Sequence, residues 1–247
     1  MRNNPALLLS LAFGLPATIS PAQAQSTPVP RVEFEVASIK PPNPKGERGM
    51  NMNVEGDTLR MHNATLKFCI ITAYAVQDSL IEGGPGWINS DTYEITAKFG
   101  NATHDQFVQM FQALLSDRFK LSVHRETRQV PVYALTLGKS GAKLHAADPG
   151  GEPFLGRRGR TGPLTGRKAS MPQLASLLSM LMGRKVLDQT GLTGLYDFTL
   201  EFAPDDAVDS PFPSLVTVLQ ELGLKLESTK APVEVLIIDH AEKPSPD

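Results

Sequence analysis

The second half of this 247-residue chain repeats the landmark pattern of the first, and that constrains its fold more than any single motif. Leu59 to Leu137 and Leu164 to Ile238 show the same landmarks in the same order. Ala64-Thr65-Leu66 corresponds to Ala169-Ser170-Met171, each ahead of an apolar helix-like run. An aromatic strand follows, Tyr93 to Phe99 in the first half and Tyr196 to Phe202 in the second. Next come Phe111-Gln112-Ala113-Leu114 against Leu219-Gln220-Glu221-Leu222, then Phe119-Lys120-Leu121 against Leu224-Lys225-Leu226. Pro131-Val132-Tyr133-Ala134-Leu135 and Pro232-Val233-Glu234-Val235-Leu236 close the series. The expectation is an α+β protein built from two pseudo-repeated β-α-β-α-β-β units packed together, with Tyr93 superposing on Tyr196 and Pro131 on Pro232.

The periodicity within each half supports that reading. Leu66, Cys69, Ile70, Ala73 and Tyr74 recur at the spacing of one helix face, as do Met171, Leu174, Ala175 and Leu178. Asn63 and Ser170 are candidate N-caps. Helices are expected over His104 to Phe119, Met171 to Leu181 and Ser214 to Leu222. Val32 to Ile39 reads as a strand ended by Pro41-Pro42, and Gly46 to Asn53 as a loop. Lys120 to Glu126 and Val132 to Leu137 read as two strands joined by a turn around Arg128 to Pro131. Leu224 to Ser228 and Val233 to Ile238 read as a second such pair.

The domain organisation follows from composition. Residues 1–24 have a positive start at Arg2, an apolar run and a small-x-small ending at Ala22-Gln23-Ala24, the pattern of a cleaved secretory signal. Residues 25–58 form a leader and N-terminal strand, 59–144 the first repeat, 145–163 a Gly- and Arg-rich linker, 164–240 the second repeat, and 241–247 a polar tail. The expected location is periplasmic or secreted, with no stable membrane insertion after signal cleavage. Cys69 is the only cysteine, so an intramolecular disulfide is excluded. A net charge of −2 argues against a nucleic-acid binder that relies on phosphate contacts.

Chemistry is sparse. His62, His104, His124, His145 and His240 show no helical metal-pair spacing, and no HExxH or CxxC occurs, so no metal is expected. No G-x-S-x-G elbow or Walker-type loop is present, and neither a catalytic residue nor a cofactor is assigned. The densest polar cluster is His124-Arg125-Glu126-Thr127-Arg128, whose guanidinium forks suit an anion; the plainer alternative is a solvated strand edge. Trp87, after Gly83-Gly84-Pro85-Gly86, either covers the core or lines a groove. Trp87, His124, Arg125 and Arg128 are therefore the candidate ligand-binding residues. Arg157 to Arg160 is a weaker basic candidate.

Several strings carry a family resemblance. They are Phe34-Glu35-Val36-Ala37-Ser38-Ile39-Lys40-Pro41, Gly83-Gly84-Pro85-Gly86-Trp87, Leu114-Leu115-Ser116-Asp117-Arg118-Phe119-Lys120-Leu121, His124-Arg125-Glu126-Thr127 with Pro131-Val132-Tyr133, Asp188 to Phe198 and Ala231-Pro232-Val233-Glu234. Together they resemble the soil-associated family of uncharacterised exported bacterial proteins, a domain of unknown function abundant in acidobacteria. The resemblance implies export and transfers no catalytic residue. Some relatives are joined to membrane peptidase-sensor modules, which implies an extracytoplasmic sensing or binding role. The Leu219 to Leu226 pattern is also similar to short α+β domains at the N-termini of secretins and TonB-dependent receptors, a likeness of fold only.

The expected function is a non-enzymatic binding or interaction protein of the bacterial cell envelope, with an unknown envelope ligand or protein as partner. The alternative is an envelope-polymer hydrolase using acids such as Asp117, Glu126, Asp188 or Asp197 in a groove.

Overall fold

Each helix begins where a hydroxyl side chain precedes an apolar run, because that oxygen can satisfy a first-turn N–H that has no partner within the helix. The computed structural model describes residues 33–42, 49–148, 150–157, 162–203 and 212–244. The expected signal sequence, Arg158 to Arg160 and the last three residues of the tail lie outside them.

The first half contains strands β1 (Val36–Lys40), β2 (Asn51–Glu55) and β3 (Thr58–Thr65), helix α1 (Leu66–Tyr74), and strands β4 (Ile81–Gly83) and β5 (Thr92–Lys98). Helix α2 (His104–Phe119) and the long strand β6 (Ser122–Leu137) complete it. The second half runs through β7 (His145–Ala146), β8 (Phe154–Arg157), β9 (Leu164–Ser170), α3 (Met171–Leu181) and β10 (Val186–Asp188). It ends with β11 (Leu195–Leu200), α4 (Leu215–Glu221) and β12 (Leu224–His240). Among the described residues the architecture is α+β, with three four-stranded sheets ordered β1-β5-β3-β2, β10-β6-β12-β4 and β7-β11-β9-β8.

Thr65, Thr103, Ser170 and Ser214 cap the four helices, and Thr103 and Ser170 form reciprocal capping boxes with Gln106 and Gln173. Asn63 is not the cap of α1. It adopts a left-handed backbone conformation (φ 50°) at a bulge in β3, where its N–H donates to the Glu94 carboxylate at 3.2 Å. Lys168 does the same in β9 (φ 49°), its N–H donating to Asp197 at 2.7 Å. A side chain in this conformation costs about 1–2 kcal/mol, and at both positions a carboxylate on the neighbouring strand accepts the N–H that the bulge turns out of the ladder.

The expected pairs of short strands are a single strand in each half. β6 and β12 pair antiparallel along nearly their whole length, from Leu137 opposite Leu224 to Ser122 opposite His240. No turn forms at Arg128 to Pro131. The prolines do not break the ribbon because their nitrogens face away from the partner strand. The Tyr133 N–H points outward to the Lys185 carbonyl at 2.8 Å, and Pro131, two residues earlier, shares that outer edge. Pro131 stands opposite Lys230 and Gln129 opposite Pro232, so the same alternation turns Pro232 outward. The Met- and Asn-rich stretch read as a loop becomes β2 at Asn51, and the span read as a linker contributes β7 and β8. These short strands hydrogen-bond to β3, β11 and β9, partners too remote for local patterning to reveal.

Two separate cores result. The first gathers Leu59, Met61, Leu66, Ile70, Phe111, Leu115 and Phe119 with Leu236 and Ile238 from the far end of the chain. The second gathers Leu164, Met171, Leu174, Leu178, Leu219 and Leu224 with Leu135 from the first half. The sheet bonding crosses in the same sense. β4 runs parallel to β12, and β10 runs parallel to β6. Each core is therefore completed by the long strand of the other half.

Candidate functional site

Among the described residues, a region with room for a ligand lies where three chain segments leave the first core. β1 ends at Ile39-Lys40, and Pro41-Pro42 cannot continue the ladder, so the chain departs from the sheet there. β5 enters beside it, after a 3-10 turn at Gly86–Asn89 whose Trp87 carbonyl accepts the Asp91 N–H at 2.9 Å. Beyond β12 the chain crosses the same corner. Ala241 packs on the first core and the Glu242 N–H donates to the Phe119 carbonyl at 2.7 Å. Between these segments is a pocket of about 460 Å³ lined by Ile39, Lys40, Pro41, Tyr93, Lys243 and Pro244, among others. Its volume lies within the common small-molecule range of roughly 300–1,000 Å³. Ile39 and Tyr93 belong to the buried core, whereas Lys40, Pro41 and Pro42 are exposed.

One ion pair fastens the C-terminal segment to this corner. Lys243 Nζ lies 2.6 Å from Asp91 Oδ2 and 5.9 Å from the centre of the Trp87 ring. The hydrogen bond from Lys243 holds the Asp91 carboxyl below its usual range, and the same bond raises Lys243. Burial raises the Tyr93 phenol, with the Asp91 charge adding to it. The signs set a pH window. The depressed Asp91 contributes stability above its ordinary value of 3.8, lost as pH falls through its lower folded value. The raised Lys243 contributes below its ordinary value of 10.5, lost as pH rises through its higher folded value. Trp87 emission is therefore expected to stay constant between those limits and to shift as acid protonates Asp91. Lys243→Met should abolish the acid shift; a shift of equal size in that variant would dissociate Trp87 from the ion pair.

Trp87 itself is half-buried. It stacks on Phe119 with ring centres 6.5 Å apart and planes at 21°, so it covers the core with one face. Two of the three glycines before it, Gly83 and Gly84, are required by close packing. A Cβ on Gly83 would lie 2.8 Å from the Ile238 carbonyl oxygen, and both Gly83 and Gly84 have positive φ.

The His124 to Arg128 cluster lies on the long ribbon and its cations are engaged. Arg125 pairs with Glu234 and donates to the Tyr74 carbonyl at 3.3 Å. Arg128 pairs with Glu82 of β4 and, at 2.8 Å, with Glu126, which holds the Glu126 carboxyl below its usual range. His124 lies 2.9 Å from Asp239. These partners come from three strands, so the cluster stitches the ribbon across both halves. An incoming anion would have to displace carboxylates already in place. Among the described residues, no hydrogen bond or ring contact links Trp87 to His124, Arg125 or Arg128.

Three of the acids considered for a hydrolytic groove have local roles. Asp188 accepts from the Thr190 N–H and hydroxyl, Asp197 from the N–H groups of Lys168 and Asp148, and Glu126 from Arg128. Asp117 lies near the end of α2. Cys69 is fully buried, and burial pushes its thiol up to about 12, which keeps it protonated at neutral pH. Among the described residues, no group of three or more His, Cys, Asp or Glu is placed to hold a metal ion. No helix among them is long and apolar enough to cross a membrane.

Sequence reasoning singled out Trp87, which stacks on Phe119 and lies against the pocket residue Lys243, and did not group Lys40, Asp91, Tyr93 and Lys243. They come from three distant segments, and Lys243 read only as part of a polar tail. The adjacent prolines after β1 were the one local sign of a chain leaving its sheet.

Among the described residues, the fold defines an α+β protein with two cores joined by an exchanged pair of long strands and a pocket beside its only tryptophan. The chain belongs to DUF3738, a family described as a protein of unknown function, whose model matches residues 67–241. No curated protein and no solved structure matches the chain.

Proposed function

We propose that this is an exported, non-enzymatic binding protein of the bacterial cell envelope, and that its ligand occupies the pocket bounded by Lys40, Tyr93 and Lys243. The observation that carries the reading is that pocket, with Ile39 and Tyr93 at its base and charged groups around its opening. Export rests on the apolar run and the Ala22-Gln23-Ala24 ending of the N-terminal sequence.

The same reading includes an internal duplication as the origin of the scaffold. Matched details support it. Tyr93 stands opposite Ala64 and Tyr196 opposite Ala169. The left-handed residues Asn63 and Lys168 are each bonded by an acid on the adjacent strand, and Thr65 and Ser170 each cap the helix that follows. The outer sheets correspond strand for strand, β1-β5-β3-β2 against β7-β11-β9-β8. The pocket draws on Lys40 and Lys243, which lie outside the repeated landmarks, together with the shared Tyr93. In this view the shared positions build the scaffold, and charged residues outside the repeats equip it to bind.

Native mass spectrometry of the protein isolated from the envelope fraction of its host tests both parts. The expected polypeptide mass corresponds to a start near Gln25, with a small-molecule adduct that is lost on unfolding. A chain retaining Met1 in the cytoplasm would sink export. Bare polypeptide alone, in protein never exposed to dialysis, would sink the pocket as a binding site.

A further inference from the structure

We infer that the pocket selects a small amphipathic monoanion, an aliphatic or aromatic carboxylate, with its apolar body against Ile39, Tyr93 and the prolines and its charge at Lys40. This rests on the binding reading above and goes further by naming the ligand's chemistry.

The apolar part follows from the lining. Pro41, Pro42 and Pro244 present hydrocarbon and have no N–H to offer, while Ile39 and Tyr93 form the buried base. A polyhydroxylated ligand would lose water here and regain few hydrogen bonds, a loss of about 1–3 kcal/mol for each buried group left unpaired. An apolar body gains on transfer to the same surface, at roughly 25 cal/mol per Å².

The sign of the charge follows from how the polar groups are already used. Of the three charged side chains in the lining, Asp91 and Lys243 neutralise each other at 2.6 Å, and Ser90 Oγ donates to Asp91 Oδ1 at 3.2 Å. Lys40 is the remaining charge, and among the described residues it makes no ion pair or side-chain hydrogen bond. Among the described residues the pocket therefore presents one uncommitted positive charge, Lys40, at the edge of an apolar surface. A single ammonium point charge fits a monoanion. A phosphate or other dianion is held best by several donors or an arginine fork, and Arg125 and Arg128 are paired elsewhere. A cationic ligand would face Lys40 unopposed.

The only tryptophan reports on this corner, because Lys243 lies against Trp87 and also lines the pocket. Three probes of one shape and different charge separate the outcomes: 4-phenylbutyrate, 4-phenylbutanol and 4-phenylbutylamine. Each is titrated into the full mature chain, with Trp87 emission and calorimetry as readouts. Phenylbutyrate is expected to bind most tightly and the amine least. Lys40→Gln should weaken phenylbutyrate about three- to fivefold, towards the alcohol, and leave the alcohol unchanged. Raised salt should reduce the difference between acid and alcohol in the wild type and have little effect on it in Lys40→Gln. Lys40 is exposed, so an unchanged Tm in the variant confirms that its fold is intact. Equal binding of acid and alcohol, or a Lys40→Gln variant as tight as wild type, would overturn the monoanion assignment and leave the pocket as a binding site. No binding of any of the three probes would count against the pocket itself.

Discussion

Cutting the chain between Arg158 and Gly159, with no residue removed, is expected to leave two fragments that do not fold alone but regain structure when mixed. The reason is the exchange of long strands. The first fragment keeps most of the first core and loses Leu236 and Ile238, both nearly fully buried in it. It also loses β12, the partner that β4 and most of β6 bond to. The second fragment loses Leu135 and the pairing of β10 with β6. Burying one such aliphatic side chain contributes about 1.5–3 kcal/mol, and orphaned ladder groups add to the loss. Whole domains have only about 5–15 kcal/mol in reserve. Far-UV circular dichroism and amide NMR of each fragment and of their equimolar mixture would decide it. A well-dispersed, cooperatively unfolding monomer from either fragment alone would show that the exchange is dispensable.

Gly223→Ala is expected to be the most damaging single-atom addition outside the hydrophobic side chains. Gly223 follows α4 with φ +73°, a conformation that favours glycine after a helix. A Cβ there would lie 1.9 Å from the Gly141 carbonyl oxygen and 3.1 Å from the Ala142 Cα, both backbone atoms. That backbone is held in place. The Gly138 N–H donates to the Gly223 carbonyl, and the Lys143 N–H to the Leu222 carbonyl, each at 2.8 Å. Relieving the overlap would break the contact that returns the chain from β6 to β7. Left-handed strain and overpacking together suggest roughly 3–5 kcal/mol, a fall in Tm of about 10 °C for a protein of this size. Gly56→Ala is the control. Its φ is +60° but nothing lies within 4 Å of the added Cβ, so only about 1–2 kcal/mol of backbone strain is expected. Equal Tm losses in the two variants would refute the argument from close approach.

The candidate site was legible only where chemistry lies close together in the chain. Trp87 behind its glycines stood out, and the structure explains Gly83 and Gly84 by the approach of Ile238. Arg125 and Arg128 stood out as a dense polar run, but their partners Glu234 and Glu82 are more than 40 residues away in sequence, as the separations of 109 and 46 show. No local signal could say that the guanidinium groups were already paired. Lys40 and Lys243 were invisible as neighbours for the same reason.

The helices were written in the sequence by local rules: an apolar stripe at helical spacing, a hydroxyl cap, and in α2 and α3 a glutamine three residues later. Those terms act within one or two turns, so α2 and α3 match their expected bounds. The recurrence of the landmarks made two packed α+β units the natural reading, and the structure gives two cores. Tertiary structure decided how the long strands were used. Charged residues and Pro131 around Arg128 suit a turn in isolation, and Pro232 repeats the signal in the other half. They form continuous β6 and β12 because each strand has the other's whole length as a hydrogen-bonding partner, with both prolines turned to the outer edge. Pairing across the chain offsets a local preference, and it also determines which half completes which core and where the pocket opens.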